Sequence, residues 1–176
     1  MLARFRDGKG LHYHDYGRFH EVMGEHTHQA VVMNLVPHIL PIMPDVTGRL
    51  EAGIDVIDIG CGAGGAMLAL AERFPNSRFR GIDLCADAYQ AAEAEGKRKG
   101  LTNLSFAEVD VSRQTRFGDY DLVFAFDAVH DQKDPQGMLD AVRRSLKPGG
   151  TFLMVDIDGS SRLENNLDHL LGAYLY

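Results

Sequence analysis

The sequence is poor in cysteine and has no long apolar run, and these absences exclude several classes of protein. Only Cys61 and Cys85 are present among 176 residues, too few for a disulfide framework, so we expect a chain suited to a reducing cytoplasm. No uninterrupted apolar stretch approaches the roughly 20 residues of a membrane span, and residues 1–4 lack the apolar block of a secretory signal. We therefore expect a cytoplasmic protein with no membrane partner.

Basic charge is also scarce. The chain has 18 lysine and arginine residues against 25 aspartate and glutamate residues, a net charge of −7. A nucleic-acid-binding surface needs a basic face, so we expect no nucleic-acid partner. The apolar fraction of 45% and the length are ordinary for a single globular domain with a substantial core.

The first 53 residues differ in composition from the rest, because they hold six of the eight histidines. We predict a helical segment over residues 16–40, ended by Pro41 and Pro44, and a short helix over residues 46–52. Two His-x-His pairs offer metal ligands, but a spacing of two does not place both on one helix face. We therefore expect no metal site at these pairs, His12 with His14 and His26 with His28.

From residue 54 onward, strand and helix patterns alternate. The predicted strands cover residues 54–59, 78–82, 104–109, 120–126 and 151–155. The predicted helices cover residues 66–74 and 86–99, then a segment from the Asp134-Pro135 cap to the Lys147-Pro148-Gly149-Gly150 stop, and last a segment capped by Ser160 or Ser161 with an apolar stripe of Leu163, Leu167, Leu170, Leu171 and Tyr174. Such alternation predicts an α/β fold, a Rossmann-like doubly wound parallel sheet of about five strands with helices on both faces.

The turn after the first predicted strand is rich in glycine. Asp58 is followed by Gly60, Gly62 and Gly64, which let the backbone turn tightly and let a ligand lie against main-chain N–H groups. Gly60, Gly62 and Gly65 also satisfy the dinucleotide pattern G-x-G-x-x-G. The turn alone therefore leaves open a dinucleotide site and an S-adenosylmethionine (SAM) site.

Aspartates stand at or near the ends of four predicted strands. In open parallel sheets, ligands bind beyond these carboxyl ends, at the switch point of the strand order. Asp83 follows Gly64 by 19 residues and can accept hydrogen bonds from both hydroxyls of a ribose. Asp110 can accept a hydrogen bond from an exocyclic amine. The alternative is that each aspartate only caps its own loop. The complete set is Asp83, Asp110, Asp127 and Asp156.

These motifs, with Phe126-Asp127 and the turn Leu146-Lys147-Pro148-Gly149-Gly150, resemble the class I SAM-dependent methyltransferases. The resemblance implies that Gly60, Gly62 and Gly64 contact the methionine part of SAM, that Asp83 holds the ribose, and that Asp110 holds the adenine amine. It implies a floor formed by Asp127 and the residues after it. The complete expected cofactor-binding set is Asp58, Gly60, Cys61, Gly62, Gly64, Asp83, Leu84, Asp110, Val111, Phe126 and Asp127.

The stretch from Phe126 to Gln132 resembles one bacterial subgroup of this family. Members of that subgroup usually carry a winged-helix segment before the N-terminal helix and an antiparallel hairpin after the fifth strand. The resemblance therefore predicts a chain truncated at both ends, with residues 1–53 as a cover and residues 54–176 as an incomplete SAM-binding domain. An uncovered fifth strand would favour a homodimer. The aromatic residues Tyr13, Tyr16 and Phe19 belong either to the core or to a cover over the cofactor.

The resemblance implies SAM-dependent methyl transfer to a small-molecule acceptor that the sequence does not identify. An NAD(P)-dependent oxidoreductase and a non-catalytic SAM-binding remnant are the alternatives. His130 follows the fourth strand, close to where a transferred methyl group would emerge, and is a candidate catalytic base. The alternative is that it only hydrogen-bonds across its loop or touches the cofactor.

Overall fold

The chain folds around one parallel five-stranded sheet. A computed structural model gives its structure and describes residues 15–169 together with Arg6 and Gly8. The strand order is β3-β2-β1-β4-β5, and every neighbouring pair is parallel. This confirms the predicted Rossmann-like α/β fold. The strands are β1 Asp55–Ile59, β2 Arg78–Asp83, β3 Leu104–Glu108, β4 Tyr120–Phe126 and β5 Leu146–Val155; the α-helices are α1 Phe19–Thr27, α2 Val46–Ala52, α3 Gly65–Arg73, α4 Ala86–Arg98 and α5 Pro135–Ser145.

Apolar side chains cover both faces of the sheet. Because successive strand residues point to opposite faces, Val56 belongs to one core cluster and Ile57 to the other. The first cluster packs the N-terminal segment, α2 and α3 on the sheet, and Leu35, Leu50 and Leu70 are fully buried there. The second cluster packs α5 on the opposite face. The sheet is therefore doubly wound, with its ligand edge at the carboxyl ends of the strands.

The N-terminal segment is helical, as predicted, but it is not one regular helix. After α1 the chain continues through two wide π-helical turns, His28–Val32 and Leu35–Ile39, and a narrow 3₁₀ turn, Leu40–Ile42. Pro37 lies in the second wide turn. Proline has no N–H and its ring clashes with the preceding turn, so a widened turn accommodates it better than regular α-helix.

The fifth strand begins earlier than predicted. Tyr120 pairs with Leu146, and Leu122 pairs with Thr151, so residues 147–150 form a bulge inside β5 rather than a turn before it. Lys147 fixes this bulge, since its Nζ lies 2.8 Å from Asp55 Oδ2 and 2.7 Å from Asp121 Oδ2. The Lys-Pro-Gly-Gly sequence is thus anchored at the amino ends of β1 and β4, opposite the ligand edge.

The predicted helix after β5 is wrong over the described residues. Only a short 3₁₀ turn forms, Leu163–Asn166, because the buried Asn166 side chain bonds to the backbone of the preceding loop. Asn166 Oδ1 accepts from Ser160 N at 2.8 Å, and Asn166 Nδ2 donates to Ser160 O at 2.7 Å. Such bonds compete with helix formation. Leu163 and Leu167 are exposed, and the rest of the predicted stripe, Leu170, Leu171 and Tyr174, lies outside the described residues.

Among the described residues, no single helix has both the length and the apolar character needed to cross a membrane. Two consecutive segments, Phe19–Ile42 and Val46–Ala52, meet the length and composition criteria only when taken together, and they bend by 109° where they join.

Candidate cofactor and active site

The turn between β1 and α3 is held against β2 by its backbone. Gly60 N and Cys61 N both donate to Ile82 O, at 2.9 and 3.0 Å. Gly60, Gly62 and Gly64 all adopt positive φ, at 74°, 49° and 71°, a region that glycine occupies without steric cost. The predicted glycine turn is therefore present.

The three glycines differ in what surrounds them. A Cβ at Gly60 would lie 2.7 Å from Ala128 Cβ, and one at Gly64 would lie 2.6 Å from the Phe106 ring. At Gly62, in contrast, no described atom lies within 4 Å of the Cβ position. Packing therefore requires Gly60 and Gly64 to lack a side chain, whereas Gly62 faces open space.

Asp83 ends β2 and ties the glycine turn to the next loop. Its Oδ2 accepts from Gly62 N at 2.9 Å, and its Oδ1 accepts from Cys85 N at 2.9 Å. Each carboxylate oxygen keeps a further lone pair for a ligand. Asp83 therefore holds its loop, and it also presents a carboxylate with free acceptor capacity to the ligand edge.

Asp58 is buried in the middle of the sheet, with 2% of its surface exposed. No described residue donates a hydrogen bond to its Oδ1. Burial, and secondarily the charge of Asp83, raises the pKa of Asp58 to about 7. An unsatisfied buried carboxylate is rare in a folded protein and indicates a ligand or catalytic site.

Asp110 lies beyond the end of β3 and caps a 3₁₀ turn, Val111–Arg113. Its Oδ1 accepts from Ser112 N at 3.1 Å and from Ser112 Oγ at 2.6 Å, and Arg113 Nε lies 3.0 Å from its Oδ2. The hydrogen bond from the Ser112 hydroxyl is the main reason that the pKa of Asp110 is low. Asp110 is therefore a loop cap that stays ionised at the ligand edge.

A cavity of about 340 Å³ opens at this edge. Small-molecule sites span roughly 300–1,000 Å³. Asp58, Cys61 and Gly64 lie outside its lining, and Cys61 is a buried free thiol whose pKa is raised by burial. Eight of the eleven expected cofactor-binding residues line the cavity: Gly60, Gly62, Asp83, Leu84, Asp110, Val111, Phe126 and Asp127.

Helix α1 forms a wall of the cavity beside the glycine turn. Phe19 lines the cavity, whereas Tyr16 is 43% exposed and Tyr13 lies outside the described residues. A Cβ at Gly24 would lie 3.2 Å from Ala63 Cβ, so the helix backbone sits almost directly on the glycine turn. The sequence interpretation missed the other wall residues of α1, and an interior helix glycine was the available signal of close approach. These residues are His20, Met23, Gly24 and Thr27.

The loop after β4 closes the cavity at its far end. Asp127 adopts a left-handed backbone, φ 55°, and its N–H donates to Val155 O at 2.7 Å. His130 is outside the lining, because its Nδ1 lies 2.6 Å from Asp156 Oδ1. The sequence interpretation also missed the other lining residues of this loop, which are Ala128, Asp131, Gln132 and Lys133.

Two groups of described side chains have the ligand atoms and proximity of a metal site. One is His20 with Cys85 and Asp87, and the other is Asp127 with His130 and Asp156. His26 and His28 belong to neither group and are exposed. His12 and His14 lie outside the described residues.

Comparison with known proteins identifies the family of this domain. Residues 50–173 match the methyltransferase-domain family. A trans-aconitate 2-methyltransferase of Azoarcus sp. (strain BH72) is 30% identical over 103 residues, which are 58% of this chain and 39% of that relative. A ubiquinone biosynthesis O-methyltransferase of Leptothrix cholodnii is 28% identical over 113 residues, 63% of this chain and 47% of that relative. The chain thus spans less than half the length of these two relatives.

A solved structure shares the fold. A candidate S-adenosyl-L-methionine-dependent methyltransferase from Methanococcus maripaludis superposes with a TM-score of 0.63 at 20% identity, over 89% of this chain and 71% of that one. The family match covers both the glycine turn and the aspartate-bearing strand ends. The chain belongs to the methyltransferase-domain family, and its fold is that of the class I SAM-dependent methyltransferases.

Proposed function

We propose that this domain binds SAM in the 340 Å³ cavity and transfers its methyl group to a small-molecule acceptor. The observation that carries the proposal is the unsatisfied, buried Asp58 carboxylate behind a glycine turn whose central residue faces open space. SAM carries an ammonium group and a sulfonium charge, and a buried carboxylate without a partner is stabilised by such cations. The carboxylates of Asp83 and Asp110 in the lining, with that of Asp58 behind the turn, therefore suit a cationic cofactor.

The residue assignments follow the order of the elements along the cavity. We assign Asp83 and Leu84 to the ribose, Asp110 and Val111 to the adenine, and Phe126 and Asp127 to the floor of the site. The carboxylates of Asp83 and Asp110 both stand at the ligand edge with capacity for a further hydrogen bond. The methionine end is assigned to Asp58, Gly60, Cys61, Gly62 and Gly64.

SAM, when bound, supplies an electrophilic methyl group. The protein has to align the acceptor with that group and exclude water, because methyl transfer depends chiefly on orientation. Helix α1 lies on the glycine turn through Gly24 and Ala63, so residues 1–53 act as a cover of the cofactor in this proposal, and residues 54–176 form the SAM-binding domain.

The acceptor is assigned only by class. The relatives named for trans-aconitate and for ubiquinone biosynthesis take small molecules, which supports a small-molecule acceptor here. The net charge of −7 makes a nucleic-acid acceptor unfavourable. We also propose that the protein acts in the cytoplasm.

Isothermal titration calorimetry tests the cofactor. We expect S-adenosylhomocysteine (SAH) and SAM to bind and NAD not to bind. Binding of NAD instead would overturn the proposal in favour of an oxidoreductase.

Asp83→Ala tests the ribose assignment in the same titration. A hydrogen bond to a charged group contributes about 1.5–3 kcal/mol, so SAH affinity should fall by about tenfold or more. Asp158→Ala removes an exposed carboxylate outside the cavity lining and serves as the control. Because Asp83 also holds Gly62 and Cys85, thermal melting of the variant must show that it is folded. Unchanged SAH affinity in folded Asp83→Ala protein would remove Asp83 from the site.

A further inference from the structure

His130 and Asp156 bring the ends of β4 and β5 together beside the cavity. The His130 Nδ1 lies 2.6 Å from Asp156 Oδ1, across 26 residues of sequence. The Asp156 side chain is only 14% exposed, and the same Oδ1 accepts the Ile157 N–H at 2.8 Å. Asp156 is thus a held carboxylate, and it fixes one edge of the imidazole ring.

The other edge of the ring is turned toward the cavity loop. His130 Nε2 lies 3.4 Å from Asp131 Oδ1, and Asp131 lines the cavity. The His130 side chain is 38% exposed, and its neighbour Asp131 lines the cavity, so the ring stands at the margin of the cavity and is open to solvent. Both ring nitrogens therefore face a carboxylate, and the contact of Nδ1 with Asp156 is the shorter of the two.

We propose that Asp156 is a positioning residue that holds His130 as the Nδ1–H tautomer, so that Nε2 accepts the proton that a hydroxyl or amine acceptor releases on methylation. A carboxylate on one imidazole nitrogen leaves the lone pair on the other nitrogen. This inference rests on the proposed methyl-transfer function and adds the acceptor class to it.

Methylation of a hydroxyl or an amine requires a proton acceptor. As the bond from acceptor oxygen or nitrogen to the methyl carbon forms, the bond from that carbon to sulfur breaks and its electron pair stays on sulfur. The acceptor then carries one proton too many, and His130 Nε2 takes it as the imidazolium forms. A carboxylate acceptor has no proton to lose and would not need this residue.

Three carboxylates surround the ring and favour that imidazolium. Asp156 contacts Nδ1, Asp131 contacts Nε2, and Asp127 Oδ1 lies 3.8 Å from Nδ1. Burial acts to lower the pKa of His130, but the Asp156 hydrogen bond and the three negative charges outweigh it and raise the pKa. A more basic imidazole is a better proton acceptor.

The same groups could instead hold a metal ion, since ligand atoms of Asp127, His130 and Asp156 lie within 4.8 Å of one another. The 2.6 Å separation of Nδ1 and Oδ1 favours the hydrogen bond. Two octahedral ligands about 2.1 Å from one ion lie roughly 3 Å apart. The experiment that follows therefore includes metal binding as a result that would contradict the proposal.

Nitrogen NMR of the histidine rings in the cofactor-free protein tests the positioning directly. His130→Gln identifies the His130 signals, and Asp158→Asn, two residues beyond Asp156 and exposed, is the matched control. We expect the Nδ1–H tautomer and a raised pKa in the wild type and the control, and a mixed tautomer with a lower pKa in Asp156→Asn. An Nε2–H tautomer in the wild type, a signal unaffected by Asp156→Asn, or a stoichiometric shift on adding Mg²⁺ or Zn²⁺ would overturn the proposal.

Methyl transfer to two probes tests the acceptor class. We expect catechol, which must lose a proton, to be methylated, and trans-aconitate not to be. His130→Gln should lower transfer to catechol by about 10²-fold or more and leave SAH affinity unchanged. Methylation of trans-aconitate alone would contradict the inference. Absence of SAH binding in calorimetry would instead reject the proposed function, and the NMR result is independent of it.

Discussion

A carboxylate buried in a parallel sheet, such as that of Asp58, is costly unless a partner neutralises it. Asp58 lies between β2 and β4, opposite Gly81 and Phe124, and its Oδ1 has no donor among the described residues. Burial therefore keeps a proton on this group in the folded protein until the pH approaches about 7. In the proposed site, the positive charge of a cofactor in front of the glycine turn would favour the ionised form of Asp58.

Asp58→Asn should change the pH dependence of stability. Between its ordinary pKa of 3.8 and its folded value of about 7, the folded chain keeps a proton that the unfolded chain has lost. The wild type must therefore lose stability as pH rises through this window, by up to roughly 4 kcal/mol. Asparagine does not titrate, so urea unfolding should show the variant gaining on the wild type from about pH 4 to about pH 8. Parallel stability curves for the two proteins, with Asp158→Asn as the surface control, would contradict this expectation.

Two glycines of one turn should respond differently to substitution. Both Gly62 and Gly64 have positive φ, so any side chain costs about 1–2 kcal/mol at either position. Gly64→Ala also drives a Cβ into Phe106 and should lower the melting temperature further. Gly62→Val meets no described neighbour and should stay folded while losing SAH affinity, because its side chain fills the open face. Normal SAH binding by Gly62→Val would show that the loop is only a structural turn and does not contact the cofactor.

At the scale of elements, Lys147 ties the bulge in β5 to the amino ends of β1 and β4. Lys147→Met removes the bonds to Asp55 and Asp121. Arg78 still pairs with Asp55 at 2.6 Å, whereas the Asp121 carboxylate loses its lysine and keeps, among the described residues, only the Asp55 N–H. Because Lys147 is partly exposed, we expect a loss of about 1–2 kcal/mol in urea unfolding and unchanged SAH affinity. Lys97→Met breaks an exposed pair with Glu93 on α4 and should change stability by less than about 0.5 kcal/mol. Equal effects of the two substitutions would show that the bulge does not depend on Lys147.

The order of strands and helices was predictable, because each element carries its own periodicity and its own stop signals. Asp134 illustrates this, since it caps α5 by accepting from Gly137 N at 2.9 Å. The Lys-Pro-Gly-Gly segment has the composition of a turn, and only the distant carboxylates of Asp55 and Asp121 make it part of a strand. Asn166 likewise prevents a helix through contacts that periodicity cannot reveal.

The candidate site was predictable where it lies on strand ends, and less so where it lies on α1. The glycine turn and the aspartates can be recognised in the sequence from their spacing relative to the predicted strands. The wall from His20 to Thr27 depends on how α1 docks, which is a tertiary property. The pairing of His130 with Asp156 also required the structure, because the two residues come from separate crossovers of the sheet.

At the scale of the whole molecule, β5 is one of the two edge strands of the described sheet, and β3 is the other. Strand β5 pairs only with β4 among the described residues, and its second half, residues 151–155, carries neither charge nor proline. Met154 and Val155 are 48% and 37% exposed, and Leu163 and Leu167 lie exposed after the strand. An uncharged edge strand with exposed apolar side chains favours pairing with a strand of another molecule.

We therefore expect the 176-residue chain to self-associate through β5. A two-fold axis pairs a strand with its own copy antiparallel, so two sheets would join edge to edge into one. A lysine at the edge discourages such pairing, so Met154→Lys should shift the protein toward monomer in light scattering at matched concentration. Ile42→Lys replaces an apolar side chain that is 72% exposed on the N-terminal segment, outside β5, and should leave the association unchanged. A monomeric wild type with a cooperative melt, or an equal effect of both lysines, would show that β5 is not the contact.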